Sequence, residues 1–401
     1  MNYDANSITK MVDEVYDETV SFHRYVHMNP ELSEQEKNTA QAVCRKLDSL
    51  GIEYEPGIAG HGISAVIYGK NREHGVGIRA DMDALPLTEK VDTPFKSQNP
   101  GVMHACGHDI HTAILTGTAA VLNRIKDQLP GSVRLFFQPS EETIGGAKRM
   151  IEAGCLTSPK IDSVIGLHVD TGTDAGDIEL IPGPMNAASS ELYVTVKGKS
   201  CHGAYPTDGI DALLPACAMV TNLQSIVTRR TDPTEAVLIT IGKFQSGTKE
   251  NIISGEVNFS GIIRTLQMHN MAPVRQELEK LCKATAEAYG ASCEVKYIDS
   301  YPTLENDDTL LGWVAESSSM ILGAEHVIIN KRPSLGADDF AYFCHSSRGL
   351  YYNIGARRHG EANPYSIHSD RFNPDEECIR TGILTQVAAV LKIMDEESKM
   401  W

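Results

Sequence analysis

Through the first 60 residues apolar side chains recur at three- and four-residue spacing, the period of an amphipathic helix. Ser33-Glu34-Gln35-Glu36 reads as a capping box that opens a helix running to Leu50, with Gly51 as its stop. Short apolar runs follow. Residues 63–68 and 76–80 predict buried strands, the second ending in Asp81-Met82-Asp83. A helix is expected over 110–126 and a strand over 133–138, ending at Ser140-Glu141-Glu142. A short helix over 146–153 then leads to a strand over 163–167 that ends at His168. Strands alternating with helices indicate an α/β fold, a mainly parallel sheet flanked by helices.

The rhythm changes near Ala187. Residues 191–197 alternate as a strand, 211–229 read as a helix, and 237–244 and 256–265 as strands. A helix over 272–289, stopped by Gly290, precedes a strand over 293–297. The order β-α-β-β-α-β is the split pattern of a ferredoxin-like module. After Pro302 the first rhythm resumes, with a helix over 309–322, a strand over 350–354 and a last helix over 375–395. The expectation is a discontinuous domain, residues 1–186 and 301–401, interrupted by an inserted domain over 187–300.

Asp81, Asp83, Glu141, Glu142 and His168 all fall at the C-terminal ends of predicted strands, the edge where open α/β sheets bind ligands. Between them lies Met103-His104-Ala105-Cys106-Gly107-His108-Asp109-Ile110-His111. Cysteine and histidine are transition-metal ligands, favouring zinc, manganese, cobalt or nickel over magnesium. Cys106 and His108 flank Gly107, so one turn can aim both at one centre. Glu142, His168 and His368 are the candidate partners from elsewhere. Alone, His168 would read as a satisfied buried histidine and His368 as an exposed loop residue. Five donors exceed the four of one structural zinc site and suit two metals. Adjacent glutamates can divide their roles, Glu142 on metal and Glu141 facing water as a proton acceptor and donor. The bland alternative is an acidic helix start before Gly145-Gly146.

Composition narrows the partners. In 401 residues, 36 Lys+Arg face 53 Asp+Glu for a net charge of −17, which argues against nucleic acid and leaves small anionic substrates open. Hydrophobic residues at 41% and charged at 22% are values of a globular chain of two or three domains. No apolar run approaches the ~20 residues of a membrane span, and the polar start Met1-Asn2-Tyr3-Asp4 shows no secretion signal. Nine cysteines without a CxxC pair suit a reducing, cytoplasmic setting.

Seven segments, in order along nearly the whole chain, resemble the di-metal metallopeptidase family that includes aminoacylase and bacterial carboxypeptidases. They most resemble its branch of hippurate hydrolase and the auxin–amino acid conjugate hydrolases. The segments are Gly77-Ile78-Arg79-Ala80-Asp81-Met82-Asp83-Ala84-Leu85-Pro86, the 103–111 motif, Gln138-Pro139-Ser140-Glu141-Glu142, Gly166-Leu167-His168, Cys201-His202-Gly203-Ala204-Tyr205-Pro206, Gly336-Ala337-Asp338-Asp339-Phe340 and Ile367-His368-Ser369-Asp370. Asp338-Asp339 departs mildly from the Glu-Asp of many relatives.

The resemblance implies two divalent ions, zinc or manganese before cobalt or nickel, on Cys106, His108, Glu142, His168 and His368. It implies Glu141 as general base and then acid, and His202 as the group polarising the scissile carbonyl. Asn251 and Arg264 match positions holding the substrate carboxylate and its surroundings. Asp83 matches an acidic position, read here as orienting a ligand from behind; Asp109 is read in the same role, and His111 is left as orienting or structural. His23, Arg24 and His27 share the first helix, the two histidines on one face. The implied activity is hydrolysis of N-acyl amino acids by a homodimer joined through the inserted lid domain. A dipeptidase or carboxypeptidase, or a non-catalytic metal-binding relative, stays open.

Overall fold

The computed structural model describes residues 4–362 and 364–401. They form two units. One comprises the chain up to Gly183 with Glu305–Arg332 and Asp339–Trp401; the other comprises Pro184–Leu304 with Pro333–Asp338.

The first unit is built on an eight-stranded sheet. Its order is Glu53–Ile58, Gly62–Ile67, Ser132–Gln138, His74–Asp81, Lys160–Asp174, Arg348–Arg357, Ile178–Leu180, Val327–Ile329. His74–Asp81 runs parallel to both its neighbours, and Lys160–Asp174 parallel to Arg348–Arg357. An antiparallel hairpin closes one edge. Gly62–Ile67 is buried at every position and His74–Asp81 at all but the first. These strands are covered on both faces, so they read as continuous apolar runs rather than alternation.

The covering helices include Ala5–Met28, His108–Arg124 and Glu377–Glu397. His108–Arg124 is buried from its first residue through Leu122. It meets Glu377–Glu397 through two glycines. A Cβ on Gly117 would come within 2.5 Å of Ile383 Cδ1, and one on Gly382 within 2.5 Å of Ile114 Cδ1. Only hydrogen at both positions lets the backbones approach this closely.

The second unit carries an antiparallel sheet ordered Val237–Ser246, Glu256–Thr265, Ala188–Lys197, Ser292–Asp299. Helices Leu213–Arg229 and Met271–Ala288 complete the β-α-β-β-α-β order. Leu192, Val194 and Val196 alternate into a core with Phe259, Leu223 and Leu278.

Three local expectations are corrected. The segment 33–36 is not a capping box. The helix is Lys37–Leu50, and Ser33 and Glu36 are drawn away to buried loops: Ser33 Oγ donates to Asp83 at 2.7 Å and Glu36 accepts from Ser140 N–H at 2.8 Å. Glu31 serves the helix start instead, accepting from Thr39 N–H at 2.8 Å. Gly51, at φ 64°, does close this helix. Within the stretch read as helical, Glu53–Ile58 is an edge strand. Finally, the strand carrying His168 does not end there. Lys160–Asp174 continues because Arg348–Arg357 still pairs with it, out to Arg357 beside Asp174.

None of the nine cysteines forms a disulfide. Among the described residues no helix is long and apolar enough to cross a membrane.

Candidate metal centre

Three backbone positions with positive φ shape this site. Gly107 has φ 83°, and a Cβ there would lie 2.4 Å from Val169 Cγ2. Glycine therefore permits the turn that presents Cys106 and His108 together as the helix begins. Ser140 and His368, at φ 59° and 63°, are non-glycine residues in the left-handed region. Such positions cost on the order of 1 kcal/mol or more each and persist only where surroundings impose them. Here Glu36 takes the Ser140 N–H, Ser140 Oγ accepts from Glu34 N–H at 3.1 Å, and His368 N–H bonds Ala105 O at 2.7 Å. The constrained residues thus carry Glu141-Glu142 and His368 toward the Cys106 loop.

Five expected side chains converge. Cys106 Sγ lies 3.4 Å from His168 Nε2 and 3.3 Å from His368 Nε2. Glu142 Oε1 lies 3.2 Å from His368 Nε2 and 3.9 Å from His108 Nε2. Donors bound at about 2.0–2.3 Å to one tetrahedral cation stand roughly 3.3–3.7 Å apart. The donors fall into sets sharing Cys106: one with His108 and His168, one with Glu142 and His368. Glu141, largely buried, shares a third set with His108 and Glu142.

The donor atoms are aimed from behind. His108 Nδ1 is 3.2 Å from Asp83 Oδ1, while Asp83 Oδ2 accepts from Ser33 and from Glu142 N–H at 3.0 Å. That arrangement places the His108 proton on Nδ1 and turns the Nε2 lone pair outward. His168 Nδ1 likewise donates to Val169 O at 2.8 Å, freeing Nε2 to face Cys106. Burial would raise the Asp83 carboxyl, but His108 and Ser33 hold it below its ordinary value. Burial pushes the Cys106 thiol well above its usual range, with His108 only partly opposing. A divalent cation is the partner that makes such a sulfur a thiolate.

The residues fit such a cation. Among the described residues, His108 Nε2 and Glu142 Oε1 are buried without a hydrogen-bond partner. A buried polar atom in that condition costs about 1–3 kcal/mol unless something meets it.

Other motif residues go elsewhere. His104 is buried with neither ring nitrogen bonded among the described residues, and burial takes its imidazole down to about 4, so it is neutral. Asp109, expected behind the ligands, turns away from them. Its Oδ2 lies 2.6 Å from His27 Nδ1 and 3.1 Å from His23 Nε2. The helix phase explains this: adjacent residues on a helix face different directions. Behind the site, sequence reasoning missed Glu36 and left His111 undecided. The only sequence signal for His111 was its i,i+3 spacing from His108.

His202, Asn251 and Arg264 belong to the second unit. Cys201–His202 pairs with Ile252–Ile253, which sets Asn251 beside His202, and Asn251 O accepts from Gly203 N–H at 2.7 Å. His202 is exposed and its Nδ1 accepts from Ala204 N–H at 3.1 Å, leaving Nε2–H as a free-facing donor. Arg264 is half-buried, and its Nη1 has no hydrogen-bond partner among the described residues. Burial lowers its guanidinium pKa, with Tyr301 partly opposing.

Comparison with known proteins adds the family. Residues 77–392 match peptidase family M20/M25/M40. The chain is 36% identical over 392 residues to a thermostable carboxypeptidase of Saccharolobus solfataricus, covering 96% of this chain and 98% of that one. It is 40% identical over 302 residues to an N-acyl-L-amino acid amidohydrolase of Geobacillus stearothermophilus, covering 75% and 81%. A solved structure from Bacillus subtilis, described as a dinuclear metal-binding peptidase of the M20 family, matches with a TM-score of 0.84 at 28% identity, covering 96% and 99%. The match spans the segments that carry the converging donors, and the chain belongs to the peptidase family M20/M25/M40 as one of its hydrolases.

Proposed function

We propose that this protein hydrolyses the amide bond of N-acyl amino acids at a two-metal centre. One observation carries the reading. A largely buried carboxylate, Glu141, stands beside a donor set in which His108 Nε2 and Glu142 Oε1 make no hydrogen bond among the described residues.

Cys106, His108, Glu142, His168 and His368 would hold two divalent ions, zinc or manganese before cobalt or nickel. When bound, the ions supply Lewis acidity to the amide carbonyl and to water. Glu141 takes the proton of the attacking water and returns it to the departing amine. His202 offers Nε2–H to the oxygen on which negative charge develops. Arg264 pairs with the α-carboxylate of the substrate, the partner its buried Nη1 lacks, and Asn251 holds the neighbouring polar atoms. Asp83 keeps His108 in its metal-facing tautomer; Asp109 takes no part in that role. In the same reading two copies associate through the second unit, and the nine unpaired cysteines suit the cytoplasm.

Similarity to a carboxypeptidase favours one second reading, cleavage of a C-terminal residue from small peptides. Both readings require a free carboxylate on the amine product, so Arg264 serves either.

The test is amine release from N-acetyl and N-benzoyl amino acids, with free and esterified carboxylates, alongside N-blocked and unblocked dipeptides. Protein is stripped with chelator and reloaded with zinc, manganese, cobalt or nickel in turn. Metal-restored cleavage of N-acyl amino acids with free carboxylates is expected. Cleavage confined to peptides would replace this reading with the peptidase one. Indifference to esterification would remove Arg264 from its role.

A further inference from the structure

We propose that His111 is a positioning residue for the candidate metal centre, holding the peptide that follows His168 and so fixing where that imidazole points. The inference rests on the two-metal reading above.

On one side, Lys160–Asp174 pairs with His74–Asp81 only as far as Gly166 opposite Arg79. Past that point the backbone on this side has lost its neighbouring strand, and a buried N–H there needs another acceptor. Val169 N–H finds one in His111 Nε2, at 3.0 Å. The His111 ring is itself held, with Nδ1 2.6 Å from Asp81 Oδ1. Asp81 Oδ2 in turn accepts from Arg79 Nη1 at 2.7 Å, and Arg79 also reaches Asp339 at 2.8 Å. Every member of this chain is buried.

Val169 is also the residue whose carbonyl receives His168 Nδ1–H. Its N–H and its C=O therefore link His111 and His168 through one backbone unit. The two rings touch edge to face, with centroids 4.7 Å apart. Asp81 and Arg79 thus determine the tautomer of His111, His111 anchors Val169, and Val169 determines the tautomer and direction of His168. Both nitrogens of His111 are committed, so it is no ligand, although its ring lies beside His108 and Asp81.

The test compares the parent with His111→Phe and His111→Gln. Phenylalanine keeps the ring and loses both polar links; glutamine can still present an oxygen to Val169 N–H. Metal affinity is read by competition with a chromophoric chelator, and the visible spectrum of cobalt-loaded protein reports ligand geometry. The parent should bind two ions. In His111→Phe one of the two should weaken about 10–100-fold, as for other groups that orient metal ligands. The cobalt spectrum should change with it, and His111→Gln should recover most of both. Parental affinity for both ions and an unchanged spectrum in His111→Phe would overturn the proposal. If that variant does not fold, His111→Asn decides against His111→Gln, since its shorter arm cannot reach Val169; equal affinities in the two would overturn it. Fewer than two ions on the parent would instead overturn the two-metal reading.

Discussion

The first unit holds two clusters of histidine and carboxylate, and they solve the same electrostatic problem in different ways. In the Cys106 cluster Glu142 Oε1 lies 3.2 Å and 3.9 Å from the His368 and His108 nitrogens, and two donor atoms are buried without a hydrogen bond among the described residues. In the cluster around Asp109, both nitrogens of His27 and of His23 face carboxylates. His27 lies between Asp109 at 2.6 Å and Glu89 at 3.3 Å; His23 lies between Asp109 and Glu376, each at 3.1 Å. Arg24 adds its guanidinium to Glu376.

Three carboxylates therefore face two imidazolium groups and one guanidinium, so the second cluster is neutral by its own protons. Burial alone would lower the His27 imidazole, yet Asp109 and Glu89 raise it to about 10. Burial would raise Glu376, yet His23 and Arg24 bring it down to about 2. Residue type does not separate a candidate metal site from a structural ion-pair cluster. What separates them is whether the counter-charge is already present.

The largest expected effect is at Glu141. Glu141→Ala should lower turnover at least ~10³-fold while leaving metal content intact, checked by single-turnover assay and elemental analysis. Loss of bound metal in that variant would make Glu141 a ligand rather than the base.

The structural cluster should fail differently. Asp109→Ala leaves His27 only Glu89 and His23 only Glu376, so the buried cluster is one negative charge short, which typically costs ~3–5 kcal/mol. Denaturant titration should show that loss, and metal content of the folded fraction should match the parent.

A pH series sharpens the contrast. His27 has a folded pKa of about 10, above its ordinary value, so its contribution is full below about 6.5 and is lost as pH rises through about 10. Glu376 has the opposite sign: its contribution is present above about 4.5 and is lost as pH falls through about 2. Metal-free protein should therefore lose stability between pH 7 and 10, and His27→Gln should flatten that decline.

The smallest effect belongs to the cluster's outer edge. Arg24 is about half exposed, so Arg24→Ala should cost no more than ~1 kcal/mol by thermal unfolding.

These differences trace to what lies close in sequence and what does not. The buried strands at 76–80 and 133–138 were legible because continuous apolar runs are a local property, and both lie inside the observed His74–Asp81 and Ser132–Gln138. The cluster of Cys106 and His108 was legible because its donors are separated by one glycine whose positive φ the turn demands. Ser33 and Glu36 carried the local signature of a cap, but buried Asp83 and Ser140 competed for them and won. The end of the His168 strand was misplaced because strand length follows the neighbour across the ladder, where Asn353 lies opposite His168 from far along the chain. The partners of Asp109 and His111 lie 82 and 58 residues distant, at His27 and Val169. By itself, then, the sequence determined the alternation of layers and which side chains could bind a cation. Folding settled which histidines are enclosed by carboxylates and which turn a nitrogen toward other metal donors, because burial and pairing depend on groups that meet only when the chain has folded.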